Sequence, residues 1–227
     1  ILVKVRHTCT KKAFRIIMDS AVLHATEIIR DSSQRNIHTF IKKSTDPLHS
    51  RVEKQLGAVL FDKNMTQQSY LNILIAMRNS YSIMEHSVSA YGATQQLLIG
   101  RSKLGWLDQD IAYLQASQKA SSANLNKHVD LNNIHNVSQA FGMMYVMEGA
   151  TMGGGHIFKA LKKHNWINEL EGIRFFYSYG DLRGEKWAQY IQALKQYHNH
   201  NPPSADDILL GANTAFSVIS QSLGDIN

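Results

Sequence analysis

One cysteine, Cys9, is all that the 227 residues contain. That excludes an internal disulfide framework and fits a reducing compartment. Prolines number only three. Long β-branched runs are few, whereas segments rich in Gln, Lys, Ala and Leu are long, so the chain reads as all-helical. No apolar run approaches the roughly 20 residues that a membrane helix needs. The opening stretch, ILVKVRHTCTKKAFRIIM, spreads basic groups throughout. It has neither a compact apolar core nor a small-residue cleavage site, which makes it a poor signal peptide. These absences predict a cytoplasmic protein that does not engage a membrane.

Nucleotide signatures are missing too. There is no Gly-x-x-x-x-Gly-Lys-Ser/Thr loop, and no glycine fingerprint follows a strand. Acidic residues are in the minority, 18 against 24 Lys and Arg, for a net charge of +6 and a pI near 9.3. The cations are scattered, without an Arg-rich stripe or aromatic platform, so nucleic acid is not the expected partner. Such a surface suits an acidic protein or an anionic small ligand.

What is present supports one domain, because 44% hydrophobic residues over this length can bury a single substantial core. Residues 1–36 read as an N-terminal extension, in which residues 1–17 precede Met18 as an upstream addition with no assigned function. Val22, Leu23, Ile28 and Ile29 mark an amphipathic segment there, broken at residues 31–33 before the chain leads into residues 37–43. Thr66 caps a long helix whose apolar face is Tyr70, Ile73, Leu74, Met77, Tyr81, Met84 and Val88. A break at residues 100–105 precedes a helix over Leu104–Ser117. Residues 119–135 are polar and predict a long loop. Past Trp166 an aromatic run passes Gly180 and Gly184 into a helix bearing Trp187, Tyr190, Ile191 and Leu194. The loop HNHNPPSADD follows, with His198 and His200 expected to be solvated, and residues 206–223 form the last helix.

Two stretches carry chemistry. The first is STDPLHSRVEKQL, residues 44–56. Ser44 or Thr45 can cap a helix, and Pro47 suits its first turn. Leu48, Val52, Leu56 and Val59 form the buried stripe; His49 lies beside it, with Glu53 one turn on. A metal-bound histidine usually donates its other ring proton to a carboxylate or carbonyl. On these residues alone, an ordinary partly buried histidine is the alternative. The second stretch lies in VSQAFGMMYVMEGATMGGGHIFKALKKH, residues 137–164, helical at both ends but holding Gly149, Gly153, Gly154 and Gly155. Each glycine costs a helix about 1 kcal/mol relative to alanine. The cluster predicts a kink where backbone closely approaches something large and flat; a helix–loop–helix break is the alternative.

The two stretches together resemble a known family. T-x-x-x-H-x-x-x-E at Thr45, His49 and Glu53 is similar to the proximal-ligand signature of heme oxygenases. YVMEGATMGG, residues 145–154, resembles the glycine-rich distal helix of bacterial members, with its Glu-Gly-Ser/Ala-x-x-Gly run. FFYSYGDLRGEKW, residues 175–187, and ANTAFSVI, residues 212–219, resemble the end of the same family. The motifs stand in order between about residues 37 and 223, most like the heme oxygenases that supply bile pigment to bacterial phytochromes.

The resemblance implies a single-domain all-α bundle over residues 37–227, with heme between a proximal helix and a glycine-kinked distal one. It makes His49 the iron ligand and Glu53 its support. Thr45, Lys42, Tyr145, Gly149, Gly153, Gly154, Arg183 and Lys186 then surround the heme, and Gly149, Gly153 and Thr151 serve the oxygen side. Heme would be substrate and cofactor at once, opened by O2 to biliverdin with release of carbon monoxide and ferrous iron. Electrons would come from a ferredoxin or a reductase, and biliverdin could pass to a phytochrome. The sequence departs from animal-type members at Ala150, where they carry an aspartate, and at Ala188 and Gln192, where basic residues are expected. Two other readings are a non-catalytic heme carrier, closed by His156 as a second ligand, and a cofactorless thiamin-degrading relative. His49 and Glu53 argue against the second.

Overall fold

Asn36 starts the first helix: its side-chain oxygen accepts the Thr39 N–H at 3.2 Å. In the computed structural model, which describes residues 36–117 and 134–224, this helix, α1, runs from Ile37 to Leu60. The sequence pattern expects a cap at Ser44 or Thr45; instead the helix passes straight through, with Pro47 inside it. Thr45 is buried and donates its hydroxyl to the Ile41 carbonyl at 2.9 Å. An interior proline costs roughly 3 kcal/mol. The helix tolerates it because Ile37, Ile41, Thr45, Val52 and Leu60 form one buried line across the site. Pro47 itself is exposed, so the carbonyl it leaves unpaired lies on the water side.

Helix α2, Gln67–Ser89, follows a capping box in which Thr66 and Ser69 bond reciprocally. All seven residues of its expected apolar face are buried. A short α3, Gly92–Leu98, leads to α4, Leu104–Ser117. Next come α5, Val137–Leu161, the small turn α6, Arg174–Tyr177, and α7, Arg183–His200. The last helix, α8, spans Ala205–Gly224. The described residues contain no strand, only an isolated bridge between Asn168 and Glu171. Cys9, the amphipathic segment around Val22 and nearly all of the expected 119–135 loop lie outside the described residues. His198 is a correction: it is 1% exposed, with Nδ1 3.1 Å from Ser204 Oγ, whereas His200 is exposed as expected.

The core of the bundle is the α5–α8 pair, its most extensive helix contact, with α1 laid along α8. Two glycines let α5 and α8 touch. A Cβ on Gly142 would stand 1.8 Å from the Ile208 carbonyl oxygen, and one on Gly211 would stand 1.9 Å from that of Gln139. Backbone lies opposite backbone at both positions, so no side chain can swing aside. Overpacking of this kind costs about 1–3 kcal/mol. Gly142→Ala should therefore lower the thermal midpoint by roughly 5 °C, at 2–4 °C per kcal/mol for a chain this size. Gly105→Ala, with open space around its Cβ, should leave the midpoint unchanged or slightly raised in the same calorimetric experiment.

Candidate functional site

Because α1 and α5 both lean on α8 but barely touch one another, a space opens between them. It is a mostly apolar cavity of about 670 Å³, within the ~300–1,000 Å³ typical of ligand sites. Its first wall is one face of α1, where His38, Lys42, Thr45, His49, Val52 and Glu53 recur at helical spacing. The opposite wall is α5 from Tyr145 through Gly149, Ala150, Thr151, Gly153 and Gly154 to His156. Phe216 and Ile219 of α8 and Met77 and Tyr81 of α2 close the inner side.

His49 stands at the edge of this space, its side chain 54% exposed and its ring edge-on to Phe216 at 5.9 Å. Its Nδ1 lies 3.5 Å from Glu53 Oε2. That leaves Nε2 for a ligand in the cavity, which is the division of labour a metal-bound histidine needs. Heme fits this architecture: an apolar slot, a lone imidazole on one wall and glycine backbone on the other.

The glycine run forms no break, since α5 is helical throughout. Its members differ in purpose. A Cβ on Gly153 would meet nothing within 4 Å, whereas one on Gly149 would make ordinary contact with Trp187 at 3.6 Å. Gly154 is constrained by the protein itself, because a Cβ there would fall 2.6 Å from the Phe176 carbonyl oxygen. Thr151 is buried and its hydroxyl donates to the Glu148 carbonyl at 2.7 Å. Tyr145 packs with His38 and Trp187 at the end of the cavity nearest α7, and burial pushes its phenol up to about 12.

Two expected heme contacts are not brought to the cavity. Arg183 lies against Gly155 and the Tyr177 carbonyl, and Lys186 lies over the Tyr179 ring; neither lines the space. Lys42 does line the cavity. The pKa of His38 is lowered first by burial and then by the charges of Lys195 and Lys42.

Against α5 sits a buried ionic cluster that sequence reasoning missed, and its Lys103 also lines the cavity. Glu148, 1% exposed, accepts from Arg101 Nη1 and from Lys103 Nζ, each at 2.5 Å. Lys103 Nζ also donates to Tyr179 Oη at 2.7 Å and to the Arg101 carbonyl, so all three of its protons are engaged. Glu85 completes the set by accepting the Lys103 N–H and the Ser102 hydroxyl, both at 2.6 Å. Burial lowers the Lys103 pKa while Glu148 opposes the shift. The missed signal was Glu148 itself, a carboxylate ending an apolar run that starts at Phe141. Such a group needs a buried partner.

No individual curated protein matches the chain. The sequence does match the profile of the family Heme oxygenase over residues 35–225, which takes in every wall of the cavity. The chain therefore belongs to the heme oxygenase family.

Proposed function

We propose that the protein opens heme to biliverdin, releasing carbon monoxide and ferrous iron, with O2 and externally supplied electrons. Heme binding and heme breakdown come with the family. The observation that carries the finer reading is His49 and the open Gly153 position on facing walls of one cavity. Heme supplies the iron that activates oxygen and the ring carbon that is attacked. His49 would hold the iron, and Glu53 would orient its ring and strengthen it as a ligand. Val146, Gly149 and Gly153 line the opposite wall, where the two glycines would leave room for a small ligand. Lys42, in the cavity wall, would pair with a heme carboxylate, and Lys195 stands near it beside His38. With Lys43 exposed beside them, they also give an acidic electron donor, a ferredoxin or a reductase, a positive edge to approach. A cytoplasmic setting and delivery of biliverdin to a phytochrome, as in the bacterial members with the similar distal motif, complete the proposal. No described helix is long and apolar enough to cross a membrane.

His156 favours a second reading, because it too lines the cavity and could close the open face as in a two-histidine carrier. Titration with hemin separates the two. Hemin is expected to bind in equal molar amount, with the spectrum of single-histidine ferric heme and no change in His156→Ala. A two-histidine spectrum that collapses in His156→Ala would establish the carrier.

A further inference from the structure

Ser178 carries two costs that packing does not explain. Its backbone is at φ +54° and ψ −127°, a region glycine adopts readily and a residue with a Cβ does not. Its Oγ is also buried and has no hydrogen-bond partner among the described residues, in a residue only 9% exposed. A buried hydroxyl left unpaired is unfavourable. Glycine would remove both costs, as it does two residues on, where Gly180 sits at φ +57°.

What the serine has in return is its position, because it lines the cavity. The segment that carries it is fastened at both ends. Asp110 accepts the Arg174 and Phe175 N–H groups, both at 2.9 Å, and the Phe176 carbonyl abuts Gly154 of α5. On the far side, Tyr179 Oη donates to Glu148 at 3.0 Å. Ser178 is therefore held across the glycine side of the cavity between two points on α5. Of the other hydroxyls in the cavity walls, those of Thr45, Tyr81 and Thr151 are committed to the backbone carbonyls of Ile41, Met147 and Glu148, and the Tyr145 phenol stands apart at the α7 end, beside His38 and Trp187. Ala150 offers no polar group at all.

We propose that the Ser178 hydroxyl is a ligand-binding group of this cavity. It donates a hydrogen bond, directly or through one water, to a small ligand bound on the glycine side of heme. The inference rests on the heme-binding reading above and adds the polar contact that Ala150 cannot make.

The test uses hemin-loaded protein with azide as the ferric probe and carbon monoxide as the ferrous one. Ser178→Ala should weaken azide about tenfold, the size of one hydrogen bond to a charged group, and should move the C–O stretch to higher frequency. Ser178→Gly should show the same two changes, yet its ligand-free form should melt above wild type because the backbone strain is relieved. Unchanged azide affinity and an unmoved C–O stretch in both variants, with wild type loading hemin normally, would overturn the inference alone. A glycine variant that melted below wild type would overturn it also, by assigning the serine a structural role. A wild-type protein that took up no hemin would remove the heme reading and this inference with it.

Discussion

Glu148→Ala is expected to cost about 3–5 kcal/mol, the range found when one partner of a buried ion pair is removed. The carboxylate is nearly inaccessible and accepts a hydrogen bond from each of Arg101, Lys103 and Tyr179. Without it, two cations face each other in a site from which water is excluded. Lys103 can escape by losing its proton, the direction in which burial already pushes it, whereas Arg101 cannot. The thermal midpoint should fall on the order of 10 °C. A double-mutant cycle checks the cause: Lys103→Met in the Glu148→Ala background should cost much less than in wild type, because the charge it removes is by then unpaired. Strict additivity would show that the cluster is not energetically coupled.

His49→Ala should do the opposite, leaving the fold intact and removing the chemistry. The side chain is more than half exposed and its ion-pair partner among the described residues is the still more exposed Glu53, so its loss should change stability by no more than about 0.5 kcal/mol. Heme would lose its axial base. Turnover should fall by about a hundredfold or more, beyond what loss of a supporting partner alone costs, and the single-histidine spectrum should vanish until imidazole is added. Glu53→Gln is the graded companion: heme stays bound while the ferric/ferrous potential rises, because the charge behind the imidazole is gone. An unaltered spectrum in His49→Ala would sink the assignment.

Much of this architecture could be read from residue spacing. The α2 face, its Thr66 cap and the bounds of α4 follow from local periodicity and capping alone, and those signals act within a few residues. The start of α1 was misread for the same reason. Pro47 after Ser44 and Thr45 is a strong local start signal, and only the stripe running from Ile37 to Leu60 reveals a helix that packing holds together. Tertiary reasons also lie behind Gly142, Gly154 and Gly211, whose neighbours are residues far away in the chain. The ordered motifs around His49 and Gly149 pointed to the family. They could not show that Arg183 turns away from the cavity, or that Ser178 is forced into it, since both depend on how the 174–183 segment crosses α5.

Whether this cavity consumes the heme it binds can be read in a single-turnover experiment. Protein loaded with equimolar hemin is given oxygen and ascorbate, and the products are followed by absorption, chromatography and carbon monoxide release. The heme spectrum should decay as biliverdin and carbon monoxide appear in equal amounts, about a hundredfold or more slowly in His49→Ala. A heme spectrum that persisted unchanged under oxygen and reductant, or bleached without carbon monoxide, would contradict the proposed reaction.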